Sequence, residues 1–236
     1  MTMTRLFLLS ALALVAGCST PPDYYHTLRP AVVSTAVPAS AHDAQRLLAI
    51  GPVTVPDSLA RDEWVVRTGD TGAMIYDHQL WTQGLAADVA QSLVDYLNGG
   101  TLPEGLWADA GPTGSGSGAD LERPAPLRVR VQVLRLDSIL VPSPAVSDQV
   151  RWTIECLPSD PALGPVDAGR YRTVRTAVRD AAGPAPAANA SIAEPQQRFD
   201  RVARAHSETV RLVAEDVAAA LRASSAERAQ VCITGH

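Results

Sequence analysis

Few side chains in this sequence can do covalent or acid–base chemistry. Cysteines stand at 18, 156 and 232, and histidines at 26, 42, 78, 206 and 236. No two histidines have a zinc-ligand spacing such as H-x3-H, and neither Cys156 nor Cys232 belongs to a C-x2-C pair. The sequence therefore predicts no metal site and no cofactor. Asp77-His78 is the best isolated acid–base pair, but neighbours on a strand point to opposite faces. The pair thus reads as alternation on a solvated strand. The run Gly114-Ser115-Gly116-Ser117-Gly118 puts glycine where a nucleophile elbow needs serine, so it reads as a linker. An envelope hydrolase built on Asp77, His78 and a serine has no motif to place its nucleophile. The predicted catalytic set is empty.

All 20 basic residues are arginine, and there is no lysine. That removes a Walker A loop, Schiff-base chemistry and a Ser-x-x-Lys nucleophile, each of which needs a lysine amine. The net charge is −5, with no basic run, which disfavours nucleic acid and electrostatic adhesion to anionic lipid.

Cys18 is the cysteine with a clear chemical context. Arg5 forms a short positive region, and Leu6 to Val15 is an apolar run too short to span a bilayer. Val15-Ala16-Gly17 then leads into Cys18, which resembles a bacterial lipobox. The thiol would be diacylated, residues 1–17 removed, and the free amine acylated with palmitate or a similar chain. Several chains anchor stably where one does not, at about 0.8 kcal/mol per buried methylene. Ser19 at the next position points to the outer membrane, with the domain facing the periplasm. Cleavage removes Arg5 and leaves 19 arginines against 25 acids, a net charge of −6. In that oxidising compartment Cys156 and Cys232 are candidates for a disulfide closing a loop of about 75 residues. Two separate buried thiols are the alternative.

The elements that must carry these residues follow from periodicity. Residues 18–22 read as a lipidated tether, 23–223 as one domain, and 224–236 as a tail with a candidate short strand. Strands are predicted over 23–28, 46–55, 63–68, 72–81, 127–140, 146–157 and 168–180. The clearest is 127–140, where Leu127, Val129, Val131 and Val133 alternate with Arg128, Arg130 and Gln132. Helices are predicted over 82–98, with Thr82 as N-cap, and over 195–223. In the second, Phe199, Val202, His206, Val210, Val213, Val217 and Leu221 step by three or four. His206 is read as a packed or edge histidine. Residues 99–126 read as irregular, with a flexible insertion over about 108–126. The expected fold is a single α/β or α+β domain, a mixed sheet with two long helices packed on it. Trp64, Trp81, Arg128 and Arg130 are candidates for a partner interface, against core packing for the indoles and a solvated, acid-paired face for the arginines.

The order of several motifs adds a resemblance. The lipobox is followed by Tyr24-Tyr25-His26-Thr27-Leu28. Then comes Ile50-Gly51-Pro52-Val53-Thr54-Val55-Pro56-Asp57-Ser58-Leu59-Ala60-Arg61, next Val65-Val66-Arg67, and Trp81 before a helix with Leu85 and Leu93. Over residues 18–222 this resembles the PqiC (YmbA) family of ABC-type transport auxiliary lipoproteins. The sequence departs from the pattern at Trp81-Thr82-Gln83-Gly84-Leu85, where the family often has Trp-Ala-Glu-Pro-Leu. The resemblance implies a non-enzymatic subunit of a lipid-transport system. It implies association with an MCE-domain protein and its membrane permease, and a homo-oligomer. The alternative is a structural assembly or pilot lipoprotein of an outer-membrane complex. A tether of about four residues spans only ~14 Å, so the domain is expected close to the membrane.

Overall fold

A computed structural model describes residues 21–30, 46–103, 105–110, 127–156, 172–184 and 195–223. Alternation dictates its sheet. Leu127, Val129, Val131 and Val133 are buried on one face, while Arg130 and Gln132 on the other are exposed. The chain forms strands β1 (Tyr24–His26), β2 (Arg46–Thr54), β3 (Glu63–Arg67), β4 (Ala73–Trp81), β5 (Leu106–Ala110), β6 (Leu127–Ile139), β7 (Ala145–Cys156) and β8 (Arg172–Pro184). Helix α1 (Leu85–Tyr96) follows β4, and α2 (Pro195–Ala223) follows β8.

β6 is the hub. It pairs antiparallel with β7, which pairs antiparallel with β8. On its other edge it pairs parallel with β2 near its start and with β3 at Ser138 near its end. β5 flanks β2, while β4 and then β1 extend the sheet from β3. Among the described residues the result is one mixed eight-stranded sheet with two helices, an α+β domain.

The helices supply the second layer. Leu85, Val89 and Leu93 of α1 and Val202, Val210, Val213, Val217 and Leu221 of α2 are buried with Leu48, Ile50, Val129, Val131, Trp152 and Ile154 of the sheet. Fully burying each such side chain contributes about 1.5–3 kcal/mol. A small apolar void, with room for about one water, remains between Val89, Leu93, Val131, Val133, Val150 and Val213.

Several boundaries differ from expectation; the strand read over 168–180 runs on to Pro184, because residues 181–184 continue the pairing with the start of β7. Gly84 (φ +75°), not Thr82, caps α1, because the Thr82 hydroxyl is used in donating to the His26 carbonyl. β5 lies in a stretch read as irregular and takes up residues 108–110 of the proposed insertion. It is a five-residue strand with only Ala108 fully buried, too short to show alternation. Residues 111–126 and the tail 224–236 lie outside the described residues. After α1 the chain passes through a wide helical turn, Leu97–Thr101, which contains Gly100 (φ +108°).

Candidate functional site

The segment behind the tether is built into the body. β1 lies parallel to β4, with Tyr24 beside Gln79 and His26 beside Trp81. The buried His26 Nε2 lies 2.7 Å from the Gln79 Oε1. The Thr82 amide and hydroxyl both donate to the His26 carbonyl, at 3.0 and 2.8 Å. Downstream, the Thr27 hydroxyl donates to Asp88 on α1 (3.1 Å) and Arg29 Nε donates to Asp95 (2.6 Å). The Ser207 hydroxyl of α2 donates to the carbonyl of the fully buried Leu28. Sheet and both helices therefore grip residues 26–29. Burial pushes the Asp88 carboxyl up from 3.8 to about 6, against the opposing hydrogen bond from Thr27 and the charge of Arg29. Asp77 does not join this clasp. His78 pairs instead with Asp23, at 2.8 Å on the surface.

Beneath the clasp lies a Ser–His–Asp array. His206 Nε2 is 2.9 Å from the Ser138 Oγ, and His206 Nδ1 is 2.9 Å from Asp148 Oδ2. The order of the three groups resembles that of a serine hydrolase. Its surroundings do not. The Trp64 indole N–H donates to the Ser138 Oγ at 2.7 Å, and the Thr209 hydroxyl donates to Asp148. His206 is 0% exposed, Ser138 1% and Asp148 3%. The hydroxyl is already engaged on two sides and has no path to a substrate, so the array acts as a buried hydrogen-bonded strut joining β3, β6, β7 and α2. Neither Ser138 nor Asp148 stands out in the sequence. Only the pairing of β6 with β7, which sets Ser138 opposite Val146 and Asp148 opposite Leu136, brings them together at His206.

The predicted interface residues divide. Trp64 and Trp81 leave the surface: both are buried and stack at 4.3 Å between ring centroids, and Trp64 also packs against His26 and Phe199. Their large rings gain more from burial than from a rim position, so packing accounts for both. Arg128 and Arg130 lie on the helix-free face of the sheet and converge on Glu155. Arg128 Nε donates to Oε2 at 2.9 Å, and Arg130 Nη1 lies 3.4 Å from Oε1. Farther along, Arg179 of β8 pairs with Asp216 of α2, which raises the guanidinium pKa further. Cys156 is fully buried and disulfide-bonded. Cys18 and Cys232 lie outside the described residues. Among the described residues no group of His, Cys, Asp and Glu could hold a metal, and no helix is long and apolar enough to cross a membrane.

Fold and clasp define a class: a single α+β domain, one helical layer on one mixed sheet, with its leading strand locked in. The chain belongs to the family of ABC-type transport auxiliary lipoprotein components, whose model matches residues 26–218. Two crystal structures share the fold. Protein XCC0632 from Xanthomonas campestris, of the family DUF330, is 14% identical, with a TM-score of 0.54 over 88% of this chain and 99% of that one. An uncharacterized protein is 18% identical, with a TM-score of 0.53 over 84% of this chain and 98% of that one. No curated protein matches the sequence.

Proposed function

We propose that this chain is a non-catalytic outer-membrane lipoprotein subunit of an MCE-type intermembrane lipid-transport system. Acylated Cys18 anchors it, and the domain docks with a periplasm-spanning partner as part of an oligomer. The observation that carries the reading is the family match over residues 26–218, a family of lipoproteins auxiliary to ABC-type transport. The buried strut supports the non-catalytic part, since the Ser138 hydroxyl is enclosed and already hydrogen-bonded. Pairing of Cys156 with Cys232 belongs to the same proposal. Among the interface candidates, Arg130 keeps about half its side chain exposed and is the residue best placed to meet a partner.

The test is affinity purification of the detergent-extracted, lipidated chain, with co-purifying proteins and lipids identified by mass spectrometry. Recovery of an MCE-domain protein with its permease is expected, weakened by Arg130→Glu. Recovery of the chain alone, or only with a β-barrel or secretin, overturns the reading in favour of an assembly role.

A further inference from the structure

Three strands end level at one end of the sheet. Val66 of β3 pairs with Met74 of β4 on one side and with Ser138 of β6 on the other. Because β3 and β6 run parallel there, the β3–β4 turn and the β6–β7 turn project from the same end. That end exposes large apolar side chains: Met74 is 50% exposed, Ile75 45% and Val141 61%. Met74 and Ile75 are neighbours on a strand and point to opposite faces, so exposure of both means that the hairpin reaches past the core. The β6–β7 connection, residues 139–146 (ILVPSPAV), has no charge, and neither do Ala181 to Pro184, which pair with the start of β7 at the same end. Of the nearby charged groups, Asp70 is exposed at the tip of the β3–β4 turn, Arg67 donates to the Asp70 carbonyl within that turn, and Arg198 donates to the Leu140 carbonyl.

The direction of the N-terminus points the same way. β1 runs parallel to β4, so the chain preceding Tyr24 leaves alongside the early part of β4, and the Asp23–His78 hydrogen bond holds it there. Cys18 lies six residues before Tyr24, and Ala73 six residues before Gln79, the partner of Tyr24. From Asp23 the tether to Cys18 reaches at most ~18 Å. Ile75 is three residues from His78, or ~10 Å along the strand. Ile75 therefore lies nearer to Asp23 than the full length of the tether, so an anchor at Cys18 can reach the bilayer at this end of the sheet.

We propose that this end of the sheet, with Met74, Ile75 and Val141 foremost, seats on the lipid bilayer that holds the chain's own anchor. The inference rests on the reading of Cys18 as the acylated residue. The contact is apolar rather than ionic: Val141 in the uncharged β6–β7 turn and Met74 and Ile75 beside the polar β3–β4 turn enter the headgroup boundary, Asp70 stays among the headgroups, and a net charge of −6 supplies no attraction to anionic lipid. A partner protein is left the rest of the domain.

The test uses the lipidated full-length chain in vesicles of phosphatidylethanolamine and phosphatidylglycerol containing doxyl-labelled phosphatidylcholine. An environment-sensitive dye is placed at Ile75→Cys or Val141→Cys, and at the exposed Thr173→Cys of β8 as a control, with the unsubstituted chain as background. Doxyl lipid is expected to quench the dye at 75 and 141 by about twofold or more, and to leave 173 unchanged, as for a side chain at the membrane interface. Mass spectrometry of the same sample reports acylation of Cys18. If Cys18 carries no acyl chain, the anchor reading falls and the inference falls with it. If Cys18 is acylated and the dye at 75 and 141 is quenched no more than at 173, the inference alone falls. Shielding that grows with protein concentration, without doxyl quenching, would make this end a contact between two copies and also overturn it.

Discussion

At the scale of single residues, the buried polar groups are tied to stability. His206 satisfies Ser138 and Asp148 together, so His206→Ala leaves a carboxyl buried with its main partner gone. A loss of about 3–5 kcal/mol is expected in denaturant unfolding. Ser138→Ala unpairs the Trp64 N–H and is expected to cost about 1–3 kcal/mol. A hydrolase activity abolished by Ser138→Ala at unchanged stability would contradict the structural role. Asp88 makes a pH prediction. Its folded pKa of about 6 lies above the usual 3.8, so the folded chain holds the proton more tightly. Its contribution is therefore present below about pH 4 and lost as the pH rises through about 6. Measured against Asp88→Asn, the native chain should lose on the order of 2 kcal/mol between about pH 4 and pH 7. A constant difference across that range would show that Asp88 titrates normally.

Elements show how local sequence becomes positioning. The wide turn after α1 contains Gly100, whose φ of +108° no L side chain holds comfortably, although a Cβ there would meet open space. Gly100→Ala should therefore cost about 1–2 kcal/mol through the backbone alone. The neighbouring Gly99→Ala, with no positive φ, should be neutral or slightly stabilising; paired thermal melts separate the two. Most elements were legible because their apolar residues recur at 2 or 3.6. β6 alternates from Leu127 to Val133, and the α2 stripe from Phe199 to Leu221 is buried throughout. β5 was not legible, because a five-residue edge strand carries too few turns of pattern. The clasp was half legible. A β-prone run at 23–28 could be read, but its ties to Gln79, Asp88, Asp95 and Ser207 span from 53 to 179 residues of chain.

For the whole molecule, charge and anchoring make the last prediction. On the proposal that residues 1–17 are cleaved and Cys18 is acylated, the net charge is −6 and attachment should survive a wash in about 1 M NaCl, because there is no ionic adhesion to screen. Cys18→Ala should shift the chain to the soluble fraction in both low and high salt. Release of the native chain by salt alone would point to ionic adhesion instead.

By itself the sequence determined the properties that are local or compositional: the absence of lysine chemistry, the strands and helices with strong periodicity, and the ordered motifs that mark the family. Each is set by residues close together in the chain, where side-chain alternation and short motifs act directly. The tertiary structure alone decided which distant residues meet. It placed Trp64 and Trp81 in the core, because two indoles bury more area stacked together than either could at a rim. It joined Ser138, Asp148 and His206 into an enclosed strut. It also brought the β3–β4 and β6–β7 turns to the end toward which the tether leads. Strand register fixes such meetings, and register is set by packing of the whole sheet against its helices, which no short stretch of sequence contains.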